Sequence, residues 1–159
     1  MTSTHLRERA GAHAAAEATA YRRVLVPVVD GTVSERALDL ACRLASEHGA
    51  VVVALAAVEL PLELPLQVHV DEDEREAKAL VARAEAVGDA YGLSLVGRVV
   101  RARSAAEAIV DEARHLDADL VVVGAQLHRR RHSLRYGATV EHVLRNAPCR
   151  VLLVADPET

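Results

Sequence analysis

Five short aliphatic runs recur along this chain, and a stretch with helical periodicity lies between each run and the next. Most runs are apolar at nearly every position, which is typical of parallel strands covered by helices on both faces. Strands are predicted at residues 23–29, 51–58, 93–100, 119–123 and 149–154. The alternation of five strands with four helices predicts an α/β fold with a doubly wound parallel sheet.

The predicted helices carry start signals of their own. Thr32 and Glu35 have the spacing of a capping box with Thr32 as the cap, and so do Ser104 and Glu107. Residues 71–74 are all acidic, and the helix dipole favours negative charge where a helix begins. These signals mark the beginnings of the first three helices.

The composition restricts the kinds of partner. The chain has three tyrosines and no Phe or Trp, so it lacks aromatic platforms for single-stranded nucleic acid. The net charge of -4 also argues against general nucleic-acid binding. The longest apolar run, residues 50–58, is too short to cross a bilayer. Cys42 and Cys149 lie in unrelated segments, which indicates free thiols in a reducing cytoplasm.

Two segments are predicted to lie outside the packed sheet. Residues 1–20 carry charges that a signal peptide would lack and no amphipathic stripe, so we expect a flexible extension before one domain at residues 21–156. Residues 59–70 contain two prolines and cannot form a helix. With the acidic residues that follow, they suggest a mobile flap over one side of a crevice.

The stretch from residue 119 to residue 154 has the features of a phosphate site. A strand ends at Gly124, where a glycine lets the backbone approach a ligand closely. A basic loop follows, and a helix then begins at Gly137 with free N–H groups that suit an anion. Guanidinium groups bind phosphate oxygens, and the loop carries Arg129, Arg130, Arg131 and Arg135.

The topology predicts where a ligand would lie. Ligands of doubly wound sheets bind beyond the carboxyl ends of the strands, at the point where the strand order reverses. If the order is 3-2-1-4-5, this point lies between the first and fourth strands, at residues 28–30 and Gly124. Chain order and topology therefore indicate the same crevice.

From about residue 21 to residue 154, the sequence resembles the universal stress protein family. The resemblance rests on four stretches, at residues 23–28, 34–38, 118–124 and 140–149, which read RVLVPV, SERAL, ADLVVVG and VEHVLRNAPC. It implies a sheet of order 3-2-1-4-5 and a homodimer formed through the last strand. It also implies, for one branch of the family, ATP binding through the pattern G-x2-G-x9-G-[ST].

This sequence keeps the spacing of that pattern but not all of its residues. Gly124 and Gly137 match the first and third glycines, whereas Leu127 and Ala138 occupy the second glycine and the hydroxyl position. Leucine brings a side chain into the phosphate path, and alanine removes one donor. Thr139, one residue later, would supply a hydroxyl only from a shifted register.

The ends of the first two strands complete the predicted cofactor-binding residues, with Val28, Asp30 and Ala57. The family often has an aspartate directly after Val-Pro-Val, and Val29 occupies that position here. An ungapped match therefore loses the carboxylate on the adenine side. A bulge of one residue would return Asp30 to it.

Two functions are compatible with these features. The first is a dimeric stress-response or regulatory module with a degenerate nucleotide crevice and no cofactor. The second is a nucleotide-linked switch that binds ATP or another adenine nucleotide. We find no nucleophile elbow and no paired carboxylates at a crevice position, so we predict no enzyme, or a weak ATPase at most. We also expect a homodimer through residues 149–154 and no metal, nucleic-acid or membrane partner.

Overall fold

The computed structural model describes residues 21–130 and 133–156, with the backbone alone at residues 128–130 and 133–135. The predicted extension at residues 1–20 lies outside the described residues. Within them are seven strands, β1 Arg23–Pro27, β2 Val51–Glu59, β3 Val96–Ala102, β4 Leu120–Gln126, β5 His128–Arg130, β6 Ser133–Arg135 and β7 Arg150–Asp156. The four helices there are α1 Thr32–His48, α2 Asp71–Ala90, α3 Ala105–His115 and α4 Ala138–Asn146.

Five of these strands form one parallel sheet in the order β3-β2-β1-β4-β7. Because β7 is the fifth strand along the chain to join this sheet, the predicted order 3-2-1-4-5 is confirmed. The order reverses between β1 and β4, where Val24 pairs with Leu120 and Leu25 with Val121. The carboxyl ends of β1 and β4 therefore lie side by side.

Helices cover both faces of the sheet. On one face, α1 and α2 pack against strand residues such as Val26 and Val52, neither of which is exposed to solvent. On the other face, α3 and α4 pack against Leu25 and Leu55, which are also fully buried. Alternate residues of each central strand enter different cores, which explains why these runs are apolar at nearly every position.

The third strand lies later than predicted, at Val96–Ala102 instead of residues 93–100. Leu93 and Leu95 pack on the hydrophobic core near the end of α2, and the Leu93 N–H donates to the Gly88 carbonyl at 2.9 Å. Apolar residues of a packed connection give the same sequence signal as strand residues, so the pattern assigns both to the strand.

The two predicted capping boxes have different outcomes. Ser104 caps α3, because its Oγ accepts a hydrogen bond from the Glu107 N–H at 3.4 Å. The prediction that Thr32 caps α1 is wrong, since Thr32 is the first helical residue and Gly31 occupies the cap position without a side-chain bond. Gly31 has a φ of 123°, which favours glycine, and the turn that it makes fixes where the helix begins.

The basic segment after β4 forms a short hairpin and not the predicted loop. β5 and β6 pair antiparallel, with His128 opposite Arg135 and Arg130 opposite Ser133. Arg129, Arg130 and Arg135 belong to this hairpin, whereas Arg131 lies outside the described residues. Phosphate binding by these arginines stays a prediction.

Residues 60–70, called the leucine segment from here on, connect β2 to α2 without a helix, as the prolines predict. The backbone forms two turns, in which the Leu64 N–H donates to the Pro61 carbonyl at 3.1 Å and the Val68 N–H to the Pro65 carbonyl at 3.0 Å. The segment therefore contains two closed turns, and the mobility that its composition suggests stays a prediction.

The first end of the leucine segment is fixed to the end of β3. The Leu60 N–H donates to the Ala102 carbonyl at 2.9 Å, which extends the pairing of β2 with β3 by one bond. Arg103 donates from its guanidinium group to the carbonyls of Leu60 and Pro61. Leu60 itself is buried, so this end packs as part of the core.

The second end is fixed by a network of three side chains. Arg101 on β3 donates through Nε to the Glu74 carboxylate of α2 at 2.7 Å. Nδ1 of His69 lies 3.2 Å from the same carboxylate and 2.8 Å from the Arg101 guanidinium. The hydrogen bond from Arg101, and then that from His69, holds the pKa of Glu74 below its usual value.

We expect this network to make the free energy of unfolding fall on acidification. A carboxyl group with a lowered folded pKa stabilises the fold fully above its unfolded pKa, about 4.3 for glutamate, and the contribution is lost as the pH falls through the folded value. In an Arg101→Gln variant the pKa of Glu74 should rise, so urea unfolding should depend less steeply on pH in the acid range. Arg103→Gln leaves the Glu74 contacts in place and is the control. Equal slopes in wild type and the Arg101 variant would contradict this role.

Candidate functional site

The candidate crevice lies where the strand order reverses. Val28 directly follows β1, and its N–H donates to the Leu55 carbonyl at 2.8 Å, which continues the ladder toward the crevice. Val28 is buried. On the neighbouring strand β4, Gly124 pairs with Val154 of β7. The ends of β1 and β4 thus form one edge, at the position where doubly wound sheets bind ligands.

Three of the predicted site residues, Val28, Asp30 and Ala57, line one cavity. The cavity has a volume of about 310 Å³ and lies beyond the ends of β1 and β2, against the first turns of α2. Three acidic residues also line it, namely Glu59, Asp73 and Glu76. This side of the crevice is therefore open to a small ligand but rich in negative charge.

Asp30 lines this cavity and forms an exposed ion pair. Its Oδ1 is 3.0 Å from the Arg83 guanidinium on α2, and 87% of the Asp30 side chain is exposed. β1 pairs with β2 residue by residue up to Pro27, so no bulge shifts the register along this strand. Val29 precedes Asp30 and is 64% exposed, and its N–H donates to Ser34 Oγ at 3.0 Å. The carboxylate thus follows the strand one residue later than the resemblance implies.

A second cavity, of about 380 Å³, lies between α1 and α2. It shares Val28, Val29 and Asp30 with the first cavity, and the rest of its lining is mainly aliphatic. Ser34 contributes a buried hydroxyl to it. The residues after β1 therefore border two cavities.

Gly124 is required by the packing of α1. A Cβ added to Gly124 would lie 2.7 Å from the carbonyl oxygen of Val33, in the first turn of α1. The packing of α1 thus requires a glycine here for a structural reason. The sequence-based role of Gly124 in letting a ligand approach the backbone stays a prediction. The same turn is tied to the end of β7 by the ion pair of Arg36 with Asp156.

The beginning of α4 is open. Gly137 is the N-cap residue, and a Cβ placed on it would meet no atom of the described residues within 4 Å. The first intrahelical bond runs from the Glu141 N–H to the Gly137 carbonyl at 3.1 Å, so the N–H groups of residues 138–140 precede it. Ala138 is exposed and Thr139 is half-buried. Such N–H groups favour an anion.

The predicted site residues therefore form two groups. Val28, Asp30 and Ala57 share a cavity beside α2, while Gly124, Leu127 and residues 137–139 belong to the β4 and α4 side. Neither of the two cavities is lined by a residue of the second group. Leu127 stands between β4 and the hairpin and is half-buried.

Sequence reasoning missed two residues that shape this edge. Ser34 was noted only within the stretch SERAL of the resemblance, but its Oγ accepts a hydrogen bond from the Val29 N–H and it lines the second cavity. Arg83 pairs with Asp30 across 53 positions of sequence, and on its own helix it resembles any exposed arginine. For Ser34, the one available sequence signal is a serine on an otherwise apolar face of a helix.

The two thiols are held in their protonated form. Burial, and then the negative charge of Asp39, raises the pKa of Cys42 to about 11. Burial, and then Asp119, also raises the pKa of Cys149. Because the thiolate is the reactive form, neither cysteine is activated as a nucleophile.

Two features are absent from the described residues, namely a metal-binding cluster and a helix that could span a membrane. No group of three or more His, Cys, Asp or Glu side chains in this part of the chain is arranged to hold a metal ion. None of the helices found there combines the length and the apolar character that a membrane-spanning helix needs.

Comparison with known proteins gives relatives over most of the chain. The model of the universal stress protein family matches residues 20–155. The chain is 26% identical over 144 residues to universal stress protein MJ0531 of Methanocaldococcus jannaschii, and the match covers 87% of this chain and 84% of that protein.

Solved structures agree with the fold. Universal stress protein UspA from Lactobacillus plantarum matches with a TM-score of 0.68 and 27% identity, over 84% of this chain and 97% of that chain. The universal stress protein from Archaeoglobus fulgidus in complex with dAMP matches with a TM-score of 0.68 and 22% identity, over 86% of this chain and 99% of that chain. With a family model that matches nearly the whole described chain, and with the predicted strand order present, this chain belongs to the universal stress protein family.

Proposed function

We propose that this protein is a dimeric stress-response or regulatory module with a degenerate nucleotide crevice, and that it acts without catalysing a reaction. The observation that supports this best is the presence of Leu127 and Ala138 at two positions of the ATP pattern. Leu127 places a half-buried side chain at the end of β4, and Ala138 offers no hydroxyl at the beginning of α4. Both changes weaken the phosphate end of the crevice.

A second candidate is a switch that responds to an adenine nucleotide. The cavity beside Val28, Asp30 and Ala57 supports it, since this space suits a base and a sugar even though acidic residues border it. The relative solved with dAMP has the same fold, and dAMP carries a single phosphate. The residues present therefore fit the base and sugar of a nucleotide better than a triphosphate.

Calorimetry of the purified protein with ATP and with AMP separates these two functions. We expect weak or undetectable ATP binding in the wild type, because the phosphate end lacks a glycine and a hydroxyl. Tight ATP binding, with a Kd of about 1 µM or lower, would favour the nucleotide-linked switch. Mass spectrometry of any small molecule released from freshly purified protein provides an independent check.

We predict that the dimer forms through β7. Within the described residues of one chain, β7 pairs only with β4, and an uncovered strand edge favours pairing with another strand. The other edge strand, β3, is less available, because the Gly97 N–H already donates to Glu85 at 3.2 Å. A two-fold axis would pair two copies of β7 antiparallel and satisfy both edges.

Light scattering tests this assembly. The expected mass is twice that of the 17.1 kDa chain. A Leu152→Pro variant that keeps the wild-type circular dichroism spectrum should be monomeric, because proline removes one donor and distorts the strand. A monomeric wild type at micromolar concentration, or an unchanged dimer in the folded variant, would count against β7 as the interface.

We also propose residues 21–156 as one domain and the cytoplasm as its location. Cys42 and Cys149 are free thiols, and free thiols persist in a reducing compartment. The net charge of -4 supports the absence of a general nucleic-acid partner.

A further inference from the structure

Exposed leucines are concentrated in the leucine segment. Leu62 is 82% exposed, and Leu64 and Leu66 are 37% and 41% exposed. The other large apolar side chains that are exposed among the described residues lie singly, at Val29, Val51, Val96 and Leu144. Single exposed apolar residues are ordinary, whereas three exposed leucines within five residues are a candidate binding surface.

These leucines contribute little to the stability of the fold. The two ends of the segment point inward, since Leu60 is 3% exposed and Val70 packs against the hydrophobic core. Between these ends the leucines alternate with polar residues and prolines and remain in solvent. Packing within the chain therefore does not explain why these positions are leucines, whereas contact with a binding partner would explain it.

The segment is also restrained before any partner binds. Pro61 and Pro65 each begin a turn that is closed by a backbone hydrogen bond, and proline fixes one backbone dihedral in each. Arg103 holds one end of the segment, and the Glu74 network holds the other. A surface that is ordered in advance loses less conformational entropy on binding, so its apolar contacts translate more fully into affinity.

Negative charge flanks the leucines. Glu63 lies between Leu62 and Leu64 and is exposed, and the first turn of α2 follows the segment directly. That turn has three exposed acidic residues, Asp71, Glu72 and Asp73. A partner that covers the leucines therefore meets carboxylates at its edge, which favours a positively charged partner and disfavours an anionic lipid surface.

We propose that the leucine segment and the first turn of α2 form a docking surface for a protein partner that presents a basic amphipathic helix. The apolar face of such a helix would cover Leu62, Leu64 and Leu66. Lysine or arginine side chains beside that face would lie opposite Glu63 and residues 71–73. The three leucines line neither cavity, whereas Asp73 belongs both to this surface and to the cavity beside Asp30. A variant that replaces only the leucines therefore tests this proposal independently of the function proposed above.

A labelled model peptide tests the docking surface. The probe is an 18-residue amphipathic helix of leucine and lysine with a fluorescent label, titrated with the full chain by fluorescence anisotropy. The triple variant Leu62→Ser, Leu64→Ser, Leu66→Ser should bind the peptide at least about tenfold more weakly than the wild type. Leu144→Ser, an exposed leucine on α4, is the matched control and should bind within about twofold of the wild type.

A second set of variants separates local charge from net charge. The variant Asp71→Asn, Glu72→Gln, Asp73→Asn removes three charges from the surface. The control Glu47→Gln, Glu107→Gln, Asp111→Asn removes three exposed charges elsewhere. Only the first should weaken binding several-fold at low salt, because its charges lie beside the peptide. Equal weakening in both would overturn the proposal, as would wild-type affinity in the leucine variant.

Two alternative occupants give different results. If the leucines contact a second copy of this chain, the leucine variant will change the mass measured by light scattering. If they contact a membrane, vesicles of phosphatidylcholine will sediment with the wild type but not with the leucine variant. Either result would overturn the proposal. Circular dichroism should be the same for all variants, since every substituted side chain is exposed and outside the core.

Discussion

Replacing Gly124 with alanine is expected to lower the free energy of unfolding by about 1–3 kcal/mol, the usual cost of overpacking a core. The added Cβ would lie 2.7 Å from the Val33 carbonyl oxygen, so the first turn of α1 must move away from β4. In a strand, alanine is otherwise no worse than glycine, because it restricts the unfolded chain. A loss of stability would therefore report the close approach itself.

Thermal unfolding monitored by circular dichroism measures this effect, with an expected decrease in Tm of roughly 3–10 °C. Gly137→Ala is the matched control. Gly137 has a φ of -63° and no described atom close to it, so alanine there should cost only the difference between glycine and alanine as a helix cap, about 0.5–1 kcal/mol. If Gly124→Ala were as stable as Gly137→Ala, α1 would not lie against β4 as closely as the structure has it.

The second large effect concerns ATP affinity. The double variant Leu127→Gly, Ala138→Ser should bind ATP at least about tenfold more tightly than the wild type. One change removes a branched side chain from the end of β4, and the other adds a hydroxyl at the open beginning of α4. A hydrogen bond to a charged phosphate contributes about 1.5–3 kcal/mol, which corresponds to tenfold or more in Kd.

Calorimetry with ATP and with adenosine shows whether the increase in affinity comes from the phosphates or from the nucleoside. Both substitutions act on the phosphate end, so the affinity for adenosine should stay unchanged while that for ATP rises. The ATP affinity of a Thr139→Val variant in the wild-type background tests whether this hydroxyl already contacts a phosphate from a shifted register. If a folded double variant gained no affinity for ATP, the defect would lie at the other end of the crevice, where Val29 precedes Asp30 and Arg83 holds its carboxylate.

Predictions from the sequence were most accurate where a residue's role depends on its immediate neighbours. The buried run at Val24–Val26 and the helical stripe of α1 are local patterns, and both are present as predicted. Ser104 caps α3 as predicted, because a cap involves only the next three residues. Thr32 shows the limit of such local rules. Gly31 is the cap residue because of its backbone conformation, which the capping-box motif does not predict.

The sequence predicted at which edge of the sheet the strand order reverses, but not which contacts the residues make at that edge. The crevice position followed from chain order, because the reversal between β1 and β4 is a property of topology. The contact of α1 with Gly124 did not follow, since a glycine at a strand end has the same sequence signal whether a ligand or a helix approaches it. The turns of the leucine segment were also missed, because Arg101 on β3 and Arg103 directly after β3 hold its ends from more than thirty residues away.

The sequence by itself determined the class of fold and the two-sided burial of the central strands, since both are local patterns of apolar residues. The positions of the ATP pattern came from the resemblance to the family. Only the tertiary structure decided how the crevice edge is assembled. Asp30 pairs with Arg83, and Arg36 pairs with Asp156 across 120 positions of sequence. In the sequence, the neighbours of each of these charged residues are those of an ordinary solvent-exposed residue, so they do not identify its partner. Their pairing depends on which strands the sheet places side by side, and no local periodicity carries that information.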